Sequence, residues 1–493
     1  MINRLNRIDR TVTSILFWAL LAGGLALRIA LLFTNAFHVD SDNAIVFLIA
    51  KHISEGNITW FFWGQSYGGT LLEFVAGGAM LIFGAHFEVL SVVGVLFLVA
   101  VAVLVRSIAT RAFDNRTTGN VAGTLFWFSG YWTMRVGVSE PGFYGPSLFL
   151  GLLTLWLALQ PKDARLSALR WALLGLAAGL ALWQSPMGAA LAVPGVLIAL
   201  ARHRSWRHWL VGIAAALVGS LPWIINFTQN LSASVRPTGV SWNLSSLRSF
   251  VTIFTQVVPM AFSQLETVPR YTIGAIAIGL LVLAAVLAVR GFRQHNYWLG
   301  GLVASSLLVI AVIVIGSGIL LRADSVRYSI FIMPALAIAV AWLVTRVPFT
   351  GIVCVLLAVA SNLLQLQLLF PDLQSNTDQK YVVGDIKGLG DYLEENHITT
   401  AYGDYWIGYA VSAETNEEVT VASLSAPRRY TPYETAAATG TSATVIVLVD
   451  QQNDVLLQSA ADLPVHTRAV VDGYAIYTFS QPFDAYSYQW NLY

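Results

Sequence analysis

The chain has 493 residues, of which 56% are hydrophobic and only 11% charged, with a net charge of +1 and a mean hydropathy of +0.65. A soluble protein of this length needs more charge to cover its surface, and the balanced charge gives no reason to expect nucleic acid as a partner. The single cysteine, Cys354, excludes an internal disulfide and any Cys-based zinc or iron–sulfur centre.

The N-terminal MINRLNRIDR is basic and precedes an apolar run from Thr13 to Phe33. That run is longer than a signal-peptide core and no small-residue cleavage site follows it, so it reads as a retained span. Apolar blocks at 14–34, 87–110, 119–137, 145–160, 169–184, 186–201, 208–228, 271–290, 297–320, 328–345 and 348–370 predict a mainly α, polytopic transmembrane bundle of about 11 spans. Cationic residues fall at alternate ends: Arg4, Arg7 and Arg10; Arg106, Arg111 and Arg116; Lys162, Arg165 and Arg170; Arg202, Arg204 and Arg207; Arg290 and Arg293; Arg346. All of these are cytoplasmic if the N-terminus is inside. The other face then receives 35–86, 138–144, 229–270, 321–327 and everything from 371. The expectation is an integral protein of the plasma membrane with its N-terminus cytoplasmic and its C-terminal part extracytoplasmic.

Within the long first outer loop, Asp42 to Ser54 puts Ile45, Leu48, Ile49, His52 and Ile53 on one helical face. Thirteen residues cannot span, which predicts an amphipathic helix lying on the outer surface. Gly68 to Gly84 is apolar but short and contains Glu73, so it reads as an interfacial helix. A second surface helix is expected around Leu244–Phe262. From about Asp372 the texture changes to short helices alternating with strands, ending in a hairpin around Asp472-Gly473. This predicts two domains: a transmembrane part, 1–370, which includes the first outer loop, and a small extracytoplasmic α/β domain, 371–493.

Ionisable groups are nearly absent from span centres, which argues against a pump or coupled transporter. The polar groups gather in the outer loops. His38, Asp40, Ser41, Asp42 and Asn43 open the first surface helix. One acid there is accounted for by capping. Two acids two residues apart also suit a divalent cation or removal of a proton from an acceptor hydroxyl. Glu73 follows the turn Gly68-Gly69, and Glu140 sits in the next outer loop. Arg322, Asp324, Arg327 and Tyr328 form a short outer loop in which arginine opposes the positive-inside trend, and guanidinium forks match phosphate oxygens.

Together these features resemble the GT-C superfamily of membrane glycosyltransferases, and within it the protein-mannosyltransferase and aminoarabinose-transferase-like group (glycosyltransferase family 39-like). That group's first loop carries Asp-Glu opening a helix that reads D-E-x-x-x-x-x-x-A; here Asp42, Asn43 and Ala50 match, with Asn43 in place of Glu. Leu72-Glu73 after Tyr-Gly-Gly resembles the group's second loop helix. Arg327-Tyr328 followed by Pro334 resembles its R-Y-x-x-x-x-x-P stretch. The resemblance implies inverting transfer of a sugar from a polyprenyl-phosphate donor to an acceptor glycan, lipid or protein. Asp42, with Asp40, would act as general base; Arg327 and Arg322 would stabilise the leaving phosphate; Tyr328, Glu73, Glu140 and His38 would bind substrate. It also allows a divalent metal, Mg or Mn, held by Asp40, Asp42 and Glu140, and membrane lipids as partners. Two rivals are a lipid-linked glycan flippase or transporter, and an adhesion or scaffold protein acting through its tail.

Overall fold

The computed structural model describes residues 2–34, 40–65, 67–138, 142–160, 167–203, 205–229, 247–263, 269–316, 323–374, 386–440, 443–460, 463–488 and 490. The chain forms two compact units. One comprises Met1–Phe33, Ser66–Val75 and Leu90–Leu368; the other comprises Thr34–Gln65, Ala76–Val89 and Leu369–Tyr493. Of the first outer loop, expected with the membrane bundle, Thr34–Gln65 and Ala76–Val89 group with the C-terminal segment and Ser66–Val75 with the helices.

The first unit is helical. Among the described residues, four helices are long and apolar enough to cross a bilayer: Arg7–Leu32 of α1 (Ile2–Leu32), α4 (Phe87–Phe113), Arg270–Arg293, and Thr350–Leu368 of the helix Thr350–Gln374. Their outward faces carry large apolar side chains such as Ile15, Trp18, Ile276 and Leu357, which suit lipid and not water. Trp206–Gly219 and Leu221–Gln229 count as one further span if taken together, although they meet at 62°. Pro222 stands at the second position of the later helix, where its missing N–H breaks the hydrogen-bond ladder. The helices Tyr144–Leu159 and Pro186–Arg202 are apolar but shorter.

Two expected spans differ from the structure. The block 119–137 divides into α5 (Arg116–Trp127) and α6 (Tyr131–Val138). Gly130 in the break has φ +146°, and a Cβ there would lie 2.2 Å from the Ala261 carbonyl oxygen, so the turn accepts only glycine. The block 328–345 starts as a 3₁₀ segment, Ala323–Phe331, and becomes α-helical only at Met333–Val344. Pro334 explains the junction, because proline suits the first helical turn and disfavours helix before it. The helix expected over Leu244–Phe262 is described from Leu247, with a π-helical turn at Ile253–Val257.

Several polar groups between these helices are buried. Arg28 is fully buried; its Nη2 donates to the Trp127 carbonyl at 2.8 Å, its Nη1 to the Gly24 carbonyl at 3.2 Å, and its Cζ lies 3.7 Å from the Trp127 ring centre. It ties α1 to α5. Asn362 Nδ2 donates to the Phe128 carbonyl at 2.7 Å, and Asn120 Oδ1 accepts from Arg106 Nε at 2.7 Å. In a bilayer no water competes for these bonds, so buried polar side chains hold helices together.

The second unit is built on a five-stranded sheet of order β2-β1-β3-β5-β4. Strands β1 (Thr400–Gly403), β2 (Thr420–Ser423) and β3 (Ala443–Leu448) run parallel; β5 (Tyr474–Phe479) is antiparallel to β3 and to β4 (His466–Val471). Asp472 and Gly473 turn the β4–β5 hairpin at φ +47° and +86°, the two positive values its two-residue loop requires. Val445, Ile446, Tyr474, Ile476 and Tyr477 bury both sheet faces. Helix α2 (Ser41–Ser54) belongs to this unit and is buried from Asn43 through His52. The expected surface helix is thus an internal one. Its apolar residues meet the helix Tyr405–Glu414, and the Ala50 carbonyl lies close to where a Cβ on Gly77 would be. A continuous run of Ala, Ile, Val, Phe and Leu has no face left for water, so it is stable only when covered.

Candidate active site

Asp40 and Asp42 stand together at the head of α2 but have different duties. Asp40 is the N-cap: its Oδ1 accepts from the Asn43 N–H at 2.9 Å. Asp42, in the first turn and half-buried, accepts from the Tyr405 hydroxyl at 2.5 Å. Tyr405 is buried at the head of its own helix. Asp404 caps that helix through the Trp406 N–H, and Ser425 Oγ links the Asp404 carboxylate to the Tyr405 N–H. Burial and then the Asp42 charge raise the Tyr405 hydroxyl well above the ordinary phenol range, with Arg429 opposing. Tyr405 therefore stays a neutral donor that holds the Asp42 carboxylate in one orientation.

About two and a half turns beyond the acid, α2 is anchored by a second polar group. Glu417 accepts from Lys51 Nζ at 2.6 Å and from the Tyr433 hydroxyl at 2.5 Å, and its Oε1 lies 2.9 Å from His52 Nε2. Burial alone would raise the Glu417 carboxyl, but the bonds from His52, Lys51 and Tyr433 outweigh it and hold it down at about 2. Trp63 stacks on Tyr430 with ring centres 3.9 Å apart and takes the edge of His52 at 5.1 Å. The loop after α2 is thereby pinned to the same segment as Tyr405.

His52, Glu55 and Glu417 have metal-compatible spacing, all within 4.8 Å. Lys51 Nζ already reaches both acids, at 3.0 Å from Glu55 and 2.6 Å from Glu417. A divalent ion would have to displace that ammonium, so the cluster does not fit a resident metal. Asp40 is engaged as a cap, and Glu140, the third acid of the expected metal set, lies outside the described residues. So do His38 and Arg322.

Glu73, Arg327 and Tyr328 belong to the first unit. Glu73 is buried in the first turn of α3 (Leu71–Phe83), and its Oε2 has no hydrogen-bond partner among the described residues. The turn before it is clamped by Gln184: the side-chain Nε2 donates to the Gly69 carbonyl at 2.8 Å, Oε1 accepts from the Leu71 N–H at 3.2 Å, and the Gln184 carbonyl accepts from the Gly69 N–H at 2.9 Å. A Cβ on Gly69 would lie 2.8 Å from the Trp183 carbonyl oxygen, which is why glycine stands there. Arg327 and Tyr328 share the 3₁₀ segment, with the guanidinium 5.8 Å from the ring centre. Tyr328 meets Tyr144 at 5.9 Å, and α6, carrying Arg135, packs on the same segment.

No family model and no curated protein matches the sequence. Solved structures do match. ArnT from Cupriavidus metallidurans bound to undecaprenyl phosphate superposes with a TM-score of 0.62 at 11% identity, covering 94% of this chain and 97% of that one. The apo state of the same protein gives 0.62 at 12% identity, covering 95% and 98%. ArnT is a GT-C glycosyltransferase. The chain has a GT-C fold.

Within the GT-C fold, residues outside the expected set stand beside those in it. Tyr405 and Glu417 lie 363 and 366 residues from Asp42 and Lys51, their partners on α2, and like Arg429 and Tyr433 they carry no motif. Lys51 and His52 read as ordinary residues of an amphipathic helix. Arg135 did leave a signal, a cation near the end of an apolar block, but the block read as an unbroken span. Among the described residues, the GT-C fold groups Asp40 with Asp42, and Arg327 with Tyr328.

Proposed function

We propose that the protein is a glycosyltransferase that moves a sugar from a polyprenyl-phosphate donor to an acceptor hydroxyl at the outer membrane boundary, with inversion at the anomeric carbon. The observation that carries this reading is the near-full-length likeness to a GT-C structure holding undecaprenyl phosphate. The held carboxylate of Asp42, in the first outer loop, supports it.

Asp42 takes the proton of the acceptor hydroxyl as the acceptor oxygen bonds to the anomeric carbon. The bond from that carbon to the phosphate oxygen breaks, and polyprenyl phosphate leaves with both electrons. The Tyr405 hydrogen bond orients Asp42 and shares its charge, so the carboxylate is a moderate base in a defined place. Arg327, with Arg135 on the helix packed against it and Arg322 on the same loop, supplies guanidinium forks for the phosphate. Glu73, His38, Glu140 and Tyr328 are assigned to holding the sugar and the acceptor. A metal on Asp40, Asp42 and Glu140 would add Lewis-acid stabilisation of the phosphate, but no step here is routed through it. The N-terminus is cytoplasmic and the sheet-bearing unit extracytoplasmic in this reading, within the plasma membrane.

The test is transfer by purified wild type and Asp42→Asn from radiolabelled polyprenyl-phosphate sugars. The expected result is transfer by the wild type only. Equal transfer by both would remove Asp42 from the chemistry. A folded wild type that moves no lipid-linked sugar would favour the flippase or transporter reading.

A further inference from the structure

At the end of the first unit where α1 begins, a cavity of about 860 Å³ opens between the start of α1 and two helix junctions. Arg7 and Arg10 come from α1, Arg111 and Arg116 from the α4–α5 junction, and Arg346 from the junction before the helix Thr350–Gln374. Asp9 and Asp114 also line it, leaving three positive charges in surplus. We propose that this cavity is a binding site for a phosphate-bearing anion.

The arginines are not accounted for by pairing. Among the described residues, none of the five forms an ion pair with a carboxylate. One of the two acids is already engaged, since Asp9 is buried and accepts from the Phe349 N–H at 3.2 Å. Two of the guanidiniums are held by aromatic faces, Arg346 at 3.9 Å from the Trp342 ring centre and Arg111 at 5.5 Å from that of Trp298. The framework is also fixed, since the Thr118 and Thr345 hydroxyls lie 2.8 Å apart and Asn115 caps α5. Like charges gathered around one cavity repel, and an anion relieves that cost.

A bias of cations toward the cytoplasmic face explains why arginines are on this side. It does not explain why one helix start and two separate junctions converge on one hollow while Arg290 and Arg293, at another helix end, line none of it. Guanidinium recognises phosphate through paired N–H donors, and basic pockets between helix ends at this depth suit lipid head groups. The ligand class is therefore a phosphate monoester or diester, drawn either from an anionic phospholipid or from a soluble phosphate.

The experiment uses the purified full chain in neutral detergent, titrated with dioleoylphosphatidylglycerol, with zwitterionic dioleoylphosphatidylethanolamine and with inorganic phosphate. Native mass spectrometry and the melting temperature are the readouts. The wild type should bind the anionic lipid more tightly than the zwitterionic one. Arg111→Gln with Arg346→Gln should weaken that binding about tenfold or more, whereas Arg290→Gln with Arg293→Gln should leave it within about twofold. Competition by inorganic phosphate supports the site and assigns a soluble source; retention of lipid against phosphate supports it and assigns the lipid. If the first pair does not fold, Arg7→Gln with Arg10→Gln tests the same cavity. Equal binding of both lipids, an unchanged affinity in the cavity variant, or an equal loss in the control pair would overturn the proposal.

Discussion

The two units treat charge in opposite ways. In the sheet-bearing unit the key carboxylates have partners: Glu417 takes Lys51, His52 and Tyr433, buried Asp454 takes Arg468 at 2.6 Å and Tyr477 at 2.5 Å, and Asp42 takes Tyr405. Among the described residues of the helical unit, Arg28 meets carbonyl oxygens through its two Nη atoms and no carboxylate, Glu73 keeps an unpartnered oxygen, and five arginines surround a cavity without ion pairs. Paired charges in the first case organise the backbone, since each anchors a helix or strand to a neighbour. Unpaired ones in the second case are costly by themselves and become useful when a ligand or a proton answers them.

This contrast can be broken at its strongest point by removing the acid assigned to chemistry. Asp42→Asn should lower sugar transfer by about 10²–10⁴-fold while the melting temperature changes little, because the amide still accepts from Tyr405. A large fall in melting temperature with unchanged transfer would make Asp42 one more structural acid. Next in size, Glu417→Ala should destabilise the sheet-bearing unit by about 3 kcal/mol, since Lys51 is left buried without its principal partner. Protease sensitivity of the α2 segment reads this directly.

The same carboxylate sets a pH dependence. Its pKa falls from 4.5 to about 2 on folding, so its contribution is complete above about pH 4.5 and is lost as pH drops toward about 2. Melting curves across that window should show a shallower acid limb in Glu417→Gln than in the wild type. Glu73→Gln probes the other unit: an isosteric amide with no charge to bury should raise stability at neutral pH by about 1–2 kcal/mol. If it instead unfolds the chain, Glu73 is paired after all. The smallest effect is expected for Tyr405→Phe, about a tenfold loss of kcat with KM nearly unchanged and a shifted pH profile. An unshifted profile would leave Tyr405 a packing residue only.

Much of the architecture was legible. Apolar blocks about 20 residues long announced the bundle, and the change of texture near Asp372 announced the sheet, whose last two strands turn at the expected Asp472-Gly473. The breaks were harder to see. An apolar run from 119 to 137 looks continuous because hydropathy does not register that Gly130 must approach Ala261 closely. Helix α2 showed its period but not its surroundings: a stripe of Ile and Leu fits a membrane surface as well as a protein core. Of the site, Asp40 and Asp42 were visible as a pair, yet their separation into cap and Tyr405-bound acid was not.

By itself, then, the order of residues determined that this chain is a many-helix membrane protein with a small sheet near its end, because transfer free energy acts on local composition. The tertiary structure alone decided which of two neighbouring acids is held by a tyrosine and that α2 is buried. It also decided which arginines converge on a common cavity. These depend on contacts between residues up to 366 positions apart, where electrostatic and hydrogen-bond energies arise only once folding has brought the groups within a few ångströms.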